Sequence, residues 1–202
     1  MSKKSLSMSI LIFALIRICD SSPSRAELID SPISKSRKMV YGSYNLTSSG
    51  GELYEDPDGD RNIMISGTGF AGLFLLPGLV LGPEVSSSSS SIYTIWKIGP
   101  RLSYFIGRTQ PQSSFKGVNF PFLVISFLYG NEITSGKVRR EKREWLYTIK
   151  LGVGMLHMHS NTVGLTLEGN YVIDRKHEIG REDFVKGNIF NMLIGLVGFI
   201  AD

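Results

Sequence analysis

The strongest constraint on this chain is a two-residue alternation that separates bulky apolar residues from small and polar ones. Successive side chains of a strand point to opposite faces of the sheet, so a period of two gives each set its own face. Residues 162–173 show it well, with Leu165 and Leu167 on one face and Thr166 and Glu168 on the other. In residues 144–157 the bulky set is Trp145, Tyr147, Ile149, Leu151, Val153 and Met155. Helical spacing would mix these sets, so we interpret both segments as strands.

Six further apolar stretches are separated by polar, charged or serine-rich segments. A helical bundle is disfavoured because the 202 residues include 22 glycines, each of which costs about 1 kcal/mol relative to alanine inside a helix. The predicted strands are residues 38–48, 61–72, 77–86, 92–105, 118–130, 144–157, 162–173 and 188–200.

The polar face of these strands carries small residues that a solvent-facing sheet would not need. They suit the tight interior of a narrow barrel whose bulky residues face outward to lipid. Large aromatic residues toward the strand ends are typical of a membrane–water interface. The small residues are Gly78, Gly82, Gly99, Gly152, Gly154 and Gly164, and the aromatic ones are Trp96, Tyr104, Trp145, Tyr147 and Tyr171.

The connections between the predicted strands also alternate in character. Polar segments at Ser48–Asp60, Ser86–Ser91, Asn131–Arg143 and Asp174–Gly187 lie at one end of the sheet, and three of these four are long. At the other end the chain turns briefly around Leu75–Pro77 and Met158–Asn161, whereas Gly107–Gly117 is longer. Long loops on one side and short turns on the other are typical of outer-membrane barrels, with the short turns in the periplasm.

Five charged residues are predicted to point into the barrel as a lumen network. They are Glu84, Lys97, Arg101, Lys150 and Glu168. Buried charges are tolerated when they are paired and hydrogen-bonded, so near balance is required. A short turn centred on His159 would put Lys150 directly opposite Glu168, and a Ser86–Ser91 loop would put Glu84 opposite Tyr93.

The N-terminal region has the organisation of a Sec signal peptide. Lys3 and Lys4 precede a short apolar run at Ser9–Ile16, and Ser24-Arg25-Ala26 offers a cleavage site. We therefore predict a signal peptide at residues 1–26, a leader or linker at 27–37 and the barrel at 38–202. The alternative is a disordered leader on a cytosolic protein.

Over residues 38–202 the chain resembles the small eight-stranded outer-membrane barrels of the OmpX/OmpA transmembrane-domain type. The resemblance rests on Gly78–Glu84, Ile98–Phe105, Phe120–Phe122, Leu165–Tyr171 and the close of the chain from Gly187–Phe190 to Gly195–Phe199. It implies a stable membrane scaffold with displayed loops, and it carries over no catalytic residues.

Three other motifs contain residue types that could bind a ligand or carry out catalysis. His157-Met158-His159-Ser160-Asn161 is the one cluster that could suggest a lipid A deacylase-like enzyme, but its spacing departs from the His-x-Ser-Asn motif and we interpret it as a turn. The carboxylates of Asp56–Asp60 lack the distal glutamate of a calcium loop. A basic run could contact lipopolysaccharide phosphates; its residues are Lys137, Arg139, Arg140, Lys142 and Arg143.

The sequence therefore predicts an all-β protein, an eight-stranded antiparallel up-and-down transmembrane β-barrel of the Gram-negative outer membrane. We expect a non-enzymatic, monomeric protein without cofactor, catalytic or metal site, with a structural or surface-interaction role. Its partners would be outer-membrane lipids and, during insertion, the periplasmic chaperones and barrel-assembly machinery, but not nucleic acid. The alternatives are an outer-membrane lipid-modifying enzyme and a soluble lipocalin-like carrier of an apolar ligand.

Overall fold

The computed structural model describes residues 28–48, 63–89, 93–134, 144–177 and 185–200, and most of these residues lie in eight strands. The strands are β1 (Lys38–Ser48), β2 (Ile63–Leu76), β3 (Leu79–Ser89), β4 (Tyr93–Phe105), β5 (Asn119–Thr134), β6 (Glu144–Met158), β7 (Val163–His177) and β8 (Val185–Ile200). Within these ranges, no helix is long and apolar enough to cross a membrane.

The strands form one closed antiparallel sheet. Each pairs with its neighbours in the sequence, and β8 pairs with β1. A path of directly paired residues that leaves β8 at Leu196 and runs once around the barrel returns to β8 at Lys186, ten residues away. This stagger over eight strands tilts each strand by about 40° from the barrel axis. The predicted eight-stranded up-and-down barrel is confirmed.

The two ends of the barrel differ, and we name them by their connections. The short-turn end carries the β2–β3, β4–β5 and β6–β7 connections, together with the start of β1 and the end of β8. Its tightest turn is Pro77-Gly78, where Gly78 has a φ of 80°, a conformation that favours glycine. The opposite, long-loop end carries the four remaining connections, at 49–62, 90–92, 135–143 and 178–184, which lie outside the described residues.

Several strands extend further toward the long-loop end than their sequence suggests. Ser86–Ser89, predicted as loop, continues β3 with full pairing to β2 and β4. The Oγ atoms of Ser66 and Ser88 lie 3.0 Å apart across the β2–β3 pair. The serines of this segment predicted a loop. The hydrogen bonds between strands are made by backbone groups, however, so a strand can contain serine at these positions. Glu84 consequently lies opposite Gly99, and the predicted pairing with Tyr93 is wrong.

The predicted register between β6 and β7 is also wrong. Lys150 lies opposite Val172, and Glu168 lies opposite Gly154. The cause is the turn, which occupies residues 159–162 and is closed by hydrogen bonds from the N–H groups of His159 and Ser160 to the carbonyl of Val163. Its centre is therefore two residues later than predicted. An even displacement preserves the faces, so Lys150 and Glu168 still point inward.

The orientation of the two faces follows the prediction. Ile149, Leu151, Leu165 and Leu167 point outward and are 41–49% exposed, whereas Lys150 and Glu168 are buried in the lumen. The inward positions of β5 are mostly apolar, which explains why that strand shows no contrast between faces in its sequence. Five of the six predicted inward glycines occupy lumen-facing strand positions, and a side chain at Gly154, for instance, would meet the ring of Phe122. Gly78 instead lies in the β2–β3 turn, so the prediction that it points into the lumen is wrong.

Apolar side chains fill the lumen at the short-turn end. Phe74 lies with its ring centroid 5.9 Å from that of Phe105 and 6.2 Å from that of Phe199. Phe105 in turn contacts Phe122, at 5.0 Å. Because rings from four strands meet inside the lumen, this end of the barrel is a packed core.

Residues 28–37, predicted as a linker, pack across this core as a strap. The side chain of Ile33 is fully buried, and its carbonyl accepts a hydrogen bond from the N–H of Gly78. Ile29 pairs with Gln112 of the β4–β5 connection, and Ser31 Oγ donates to the carbonyl of Arg108 at 2.9 Å. The strap has no two-residue period, so its role could not be deduced from alternation.

We predict that Gly99→Ala destabilises the barrel, whereas Gly42→Ala does not. A Cβ at Gly99 would lie 2.0 Å from the Phe127 carbonyl oxygen, so the neighbouring backbone would have to move, at a cost of about 1–3 kcal/mol. A Cβ at Gly42 meets nothing within 4 Å. Urea unfolding followed by tryptophan fluorescence measures both. Equal unfolding free energies for the two variants would contradict the close approach at Gly99.

Candidate functional site: the charge network of the lumen

A four-residue charge cluster crosses the middle of the lumen. Arg101 on β4 donates from Nη2 to Oε2 of Glu168 on β7 at 2.7 Å, and its Nη1 lies 3.5 Å from Oε2 of Glu84 on β3. Lys150 on β6 forms an ion pair with Oε1 of Glu84, and its Nζ lies 4.0 Å from Oε1 of Glu168. The predicted Lys150–Glu168 pair is therefore the longest contact of a cluster in which Lys150 binds mainly Glu84.

Neighbouring polar groups fix the two carboxylates and the guanidinium in place. Ser126 Oγ donates to Oε2 of Glu84 at 2.8 Å, and Tyr41 donates to Oε2 of Glu168 at 3.3 Å. Arg101 Nε donates to Ser103 Oγ at 3.0 Å. Such hydrogen bonds reduce the cost of burying charge, because each ionised group keeps partners that replace water.

Two aromatic rings also contact the guanidinium of Arg101. Its central carbon lies 4.9 Å from the ring centroid of Tyr41 and 5.2 Å from that of Phe70. An arginine over aromatic faces gains cation–π attraction, which is larger when the group is desolvated. Arg101, only 1% exposed, is thus held by charge on one side and by aromatic rings on the other.

A second ion pair lies closer to the long-loop end. Lys97 Nζ is 2.7 Å from Oδ1 of Asp174, and Thr148 donates its hydroxyl hydrogen to the same oxygen. Lys97 was predicted to point into the lumen, whereas Asp174 was expected at the start of a loop. Two signals could have found it: even positions of β7 continue inward from Glu168 to Asp174, and the five predicted residues carry one more cation than carboxylate.

The lumen cavity beside the charge cluster, as the described residues line it, is too small for an apolar ligand. A cavity of about 40 Å³ lies among Thr68, Glu84, Lys97, Lys150 and Asn170, whereas small-molecule sites are roughly 300–1,000 Å³ and mostly apolar. A lipocalin-like carrier would also need the aliphatic faces of β6 and β7 to point inward, but they point outward. The structure therefore does not meet the requirements of the carrier alternative.

The histidine–serine cluster at 157–161 serves the β6–β7 turn and its neighbours. Ser160 Oγ accepts hydrogen bonds from the N–H groups of Thr162 and Val163 at 3.3 and 3.1 Å. Asn161 Oδ1 accepts the N–H of Phe115 at 2.8 Å, and His157 Nδ1 lies 2.8 Å from Asn119 Oδ1. Asn161 thus connects the turn to the β4–β5 connection, whereas His157 lies in β6 and contacts β5. The interpretation as turn residues holds for His159, Ser160 and Asn161 and is wrong for His157 and Met158.

Three predicted features fall outside the described residues. They are the signal peptide at 1–26, the carboxylate segment at 56–60 and the basic run at 137–143. Among the residues that the structure does describe, no three histidine, cysteine, aspartate or glutamate side chains converge as metal ligands would.

Two solved structures share this fold. Neisserial surface protein A aligns with a TM-score of 0.59 at 10% identity, over 80% of this chain and 96% of that one. The N-terminal β-barrel domain of Pseudomonas aeruginosa OprF aligns with a TM-score of 0.51 at 10% identity, over 83% and 98%. No protein-family profile matches the sequence, and no curated protein matches it. At this identity the likeness establishes the fold, that of small outer-membrane barrels.

We predict that Arg101→Met destabilises the barrel by about 3–5 kcal/mol, because it leaves Glu168 and Glu84 buried with one cation between them. Neutralising one carboxylate as well, in Arg101→Met/Glu168→Gln, should recover part of this loss. Urea unfolding measures both, with Lys116→Met as the control for losing an exposed cation. A loss below about 1 kcal/mol for the single variant would show that the cluster does not depend on Arg101.

Proposed function

We propose that this chain is a non-enzymatic β-barrel protein of the bacterial outer membrane, where it serves as a scaffold that displays loops at the cell surface. The observation that carries the proposal is the outer surface. Thirty large apolar side chains are exposed among the described residues, and they include members of all eight strands. Monomeric soluble proteins rarely expose contiguous apolar patches above a few hundred Å².

The height of the apolar surface fits the hydrocarbon region of such a membrane. On β7 the outward positions from Val163 to Ile173 are all uncharged. Ten steps of about 3.3 Å, tilted by about 40°, rise about 25 Å along the barrel axis. That is the height of the apolar band of outer-membrane barrels. Charged residues reappear on the outer face beyond both limits, at Arg175 toward the long-loop end and at Lys38 near the short-turn end.

Aromatic side chains on β4, β5 and β6 lie at the limit of this band toward the long-loop end. Trp96, Tyr129, Trp145 and Tyr147 are exposed near the long-loop end. The rings of Tyr129 and Trp145 stack at 4.8 Å, and those of Tyr129 and Tyr147 are 5.1 Å apart. Trp and Tyr prefer the headgroup level of a bilayer because they combine an apolar ring with a polar atom. Tyr104 is exposed closer to the opposite end.

The closed lumen supports a scaffold role over transport. The aromatic core fills the short-turn end, and paired charges fill the middle. Export through the Sec pathway and insertion by the barrel-assembly machinery follow from the proposed location, with outer-membrane lipids as the surrounding partner. The long-loop end would face the cell exterior, including the basic residues of 137–143.

A pair of arginine substitutions tests whether the outer surface contacts lipid. Val153→Arg, in the middle of the apolar band, should destabilise the barrel in phospholipid vesicles by about 2–4 kcal/mol, and Leu76→Arg, at the short-turn end, by about 0–1 kcal/mol. Both side chains are more than half exposed, so a water-soluble barrel would tolerate either change. Equal, small effects together with solubility in detergent-free buffer would overturn the membrane proposal.

Trypsin treatment of intact cells tests the location and orientation. We expect the protein in the outer-membrane fraction and cleavage within 137–143, where lysines and arginines are dense. The control site is Lys116, exposed at the short-turn end, which should be cut only after the membrane is permeabilised. Cleavage at Lys116 in intact cells, with residues 137–143 protected, would reverse the proposed orientation.

A further inference from the structure

Two cations lie directly opposite each other on the outer face of the barrel. Arg175 on β7 pairs in register with Lys186 on β8, near the long-loop end. Lys186 is exposed and Arg175 is partly exposed, since both occupy outward positions of their strands. Like charges in a direct cross-strand pair repel each other, so this placement is unfavourable unless an anion lies between them.

Among the acidic residues whose side chains the structure describes, which do not include Glu132, Glu144 or the carboxylates of the 178–184 connection, none provides that anion. Asp30 lies in the strap at the short-turn end, and Glu84, Glu168 and Asp174 are fully buried in the lumen. Arg175 Nη1 does donate a hydrogen bond, at 2.7 Å, but to the backbone carbonyl of Asp174. That bond holds the guanidinium in position and leaves its positive charge without a described counter-ion.

The surface below the two cations is apolar except for Asn188. Ile173 and Asn188 form the next outward pair, followed by Tyr171 and Phe190. The pair after that is Gly169 and Met192, where the missing side chain of the glycine leaves a depression beside the Phe190 ring. The site thus offers cationic donors at the level of a headgroup and an apolar path along which an acyl chain can lie.

We infer that Arg175 and Lys186 form a binding site for a phosphorylated lipid of the outer leaflet, whose phosphate lies between the two cations while an acyl chain lies over Gly169. The inference rests on the proposed outer-membrane location, since lipopolysaccharide is the phosphorylated lipid of the outer leaflet of that membrane. Charge-assisted hydrogen bonds from arginine and lysine to phosphate are among the stronger ones in proteins. Tyr147, directly opposite Arg175 on β6, borders the site.

The test measures lipid bound to the full-length folded protein. Wild type and variants are reconstituted in phosphatidylcholine nanodiscs that contain diphosphorylated lipid A or lipid A stripped of its phosphates, and native mass spectrometry of the extracted protein counts retained lipid A. The double variant Arg175→Gln/Lys186→Gln removes both cations. Its control, Lys35→Gln/Lys116→Gln, removes two exposed cations at the short-turn end and has the same net charge. Arg175→Lys retains the charge.

We expect the double variant to retain about tenfold less diphosphorylated lipid A than wild type, and the control and Arg175→Lys to retain nearly as much as wild type. Wild type should lose its preference when the phosphates are removed. The proposed site would be contradicted if wild type and the double variant retained equal amounts of diphosphorylated lipid A. It would also be contradicted if wild type retained equal amounts of lipid A with and without its phosphates. Heat-modifiable migration of each protein in phosphatidylcholine alone separates the two proposals, since a wild-type barrel that fails to insert contradicts the membrane location itself.

Discussion

Closure of the sheet is the constraint on which the rest of this structure depends. With β8 paired to β1 the barrel has no free edge, so its backbone groups can be hydrogen-bonded without help from solvent. Closure with a stagger of ten residues also sets a narrow lumen, in which adjacent inward positions compete for space. Gly99 leaves the space that the approaching β5 backbone occupies, and Gly154 leaves the space that the ring of Phe122 occupies. The bulky residues then have only the outer face to occupy.

A narrow lumen that holds charges must satisfy them with other side chains. Arg101 does so at the centre, where carboxylates from β3 and β7 and rings from β1 and β2 converge on one guanidinium. Replacing such a cluster with apolar residues is often neutral or stabilising in other proteins, so its presence is weak evidence for stability. We regard its value here as specificity: a slip of one residue in β4 or β7 would turn Arg101 or Glu168 out of the lumen and away from its partners, which favours the observed register.

The sequence predicts features that depend on whether a strand position is odd or even. It misses features that depend on the length of a strand or of a turn. Alternation identified the clearest strands, β3, β4, β6 and β7, and the inward direction of Lys150 and Glu168, because face is decided by odd or even position. The other four strands were predicted from the length of their apolar stretches, the flanking turn residues and the family resemblance. Register was wrong at Glu84 and at Lys150, since it depends on where a turn begins, and neither the serines of β3 nor the 159–162 turn reveals this through composition. Asp174 was assigned to a loop because polar residues were equated with loops, although strands of this barrel continue beyond the apolar band. The strap at 28–37 packs through single contacts such as Ile33, for which no periodic signal exists.

The same alternation of inward and outward positions explains why the outer surface differs between its two ends. Lumen and outer face follow different rules only within the apolar band, where, in the proposed membrane, an outward charge would meet hydrocarbon. On β7 the outward positions are uncharged from Val163 to Ile173 and become cationic at Arg175, which pairs directly with Lys186 on β8 and with Tyr147 on β6. Because the strands are tilted, directly paired residues lie at different heights along the barrel axis, so these three side chains form an oblique row across the end of the apolar band. In the proposed membrane, such a row crosses the level at which acyl chains give way to phosphates.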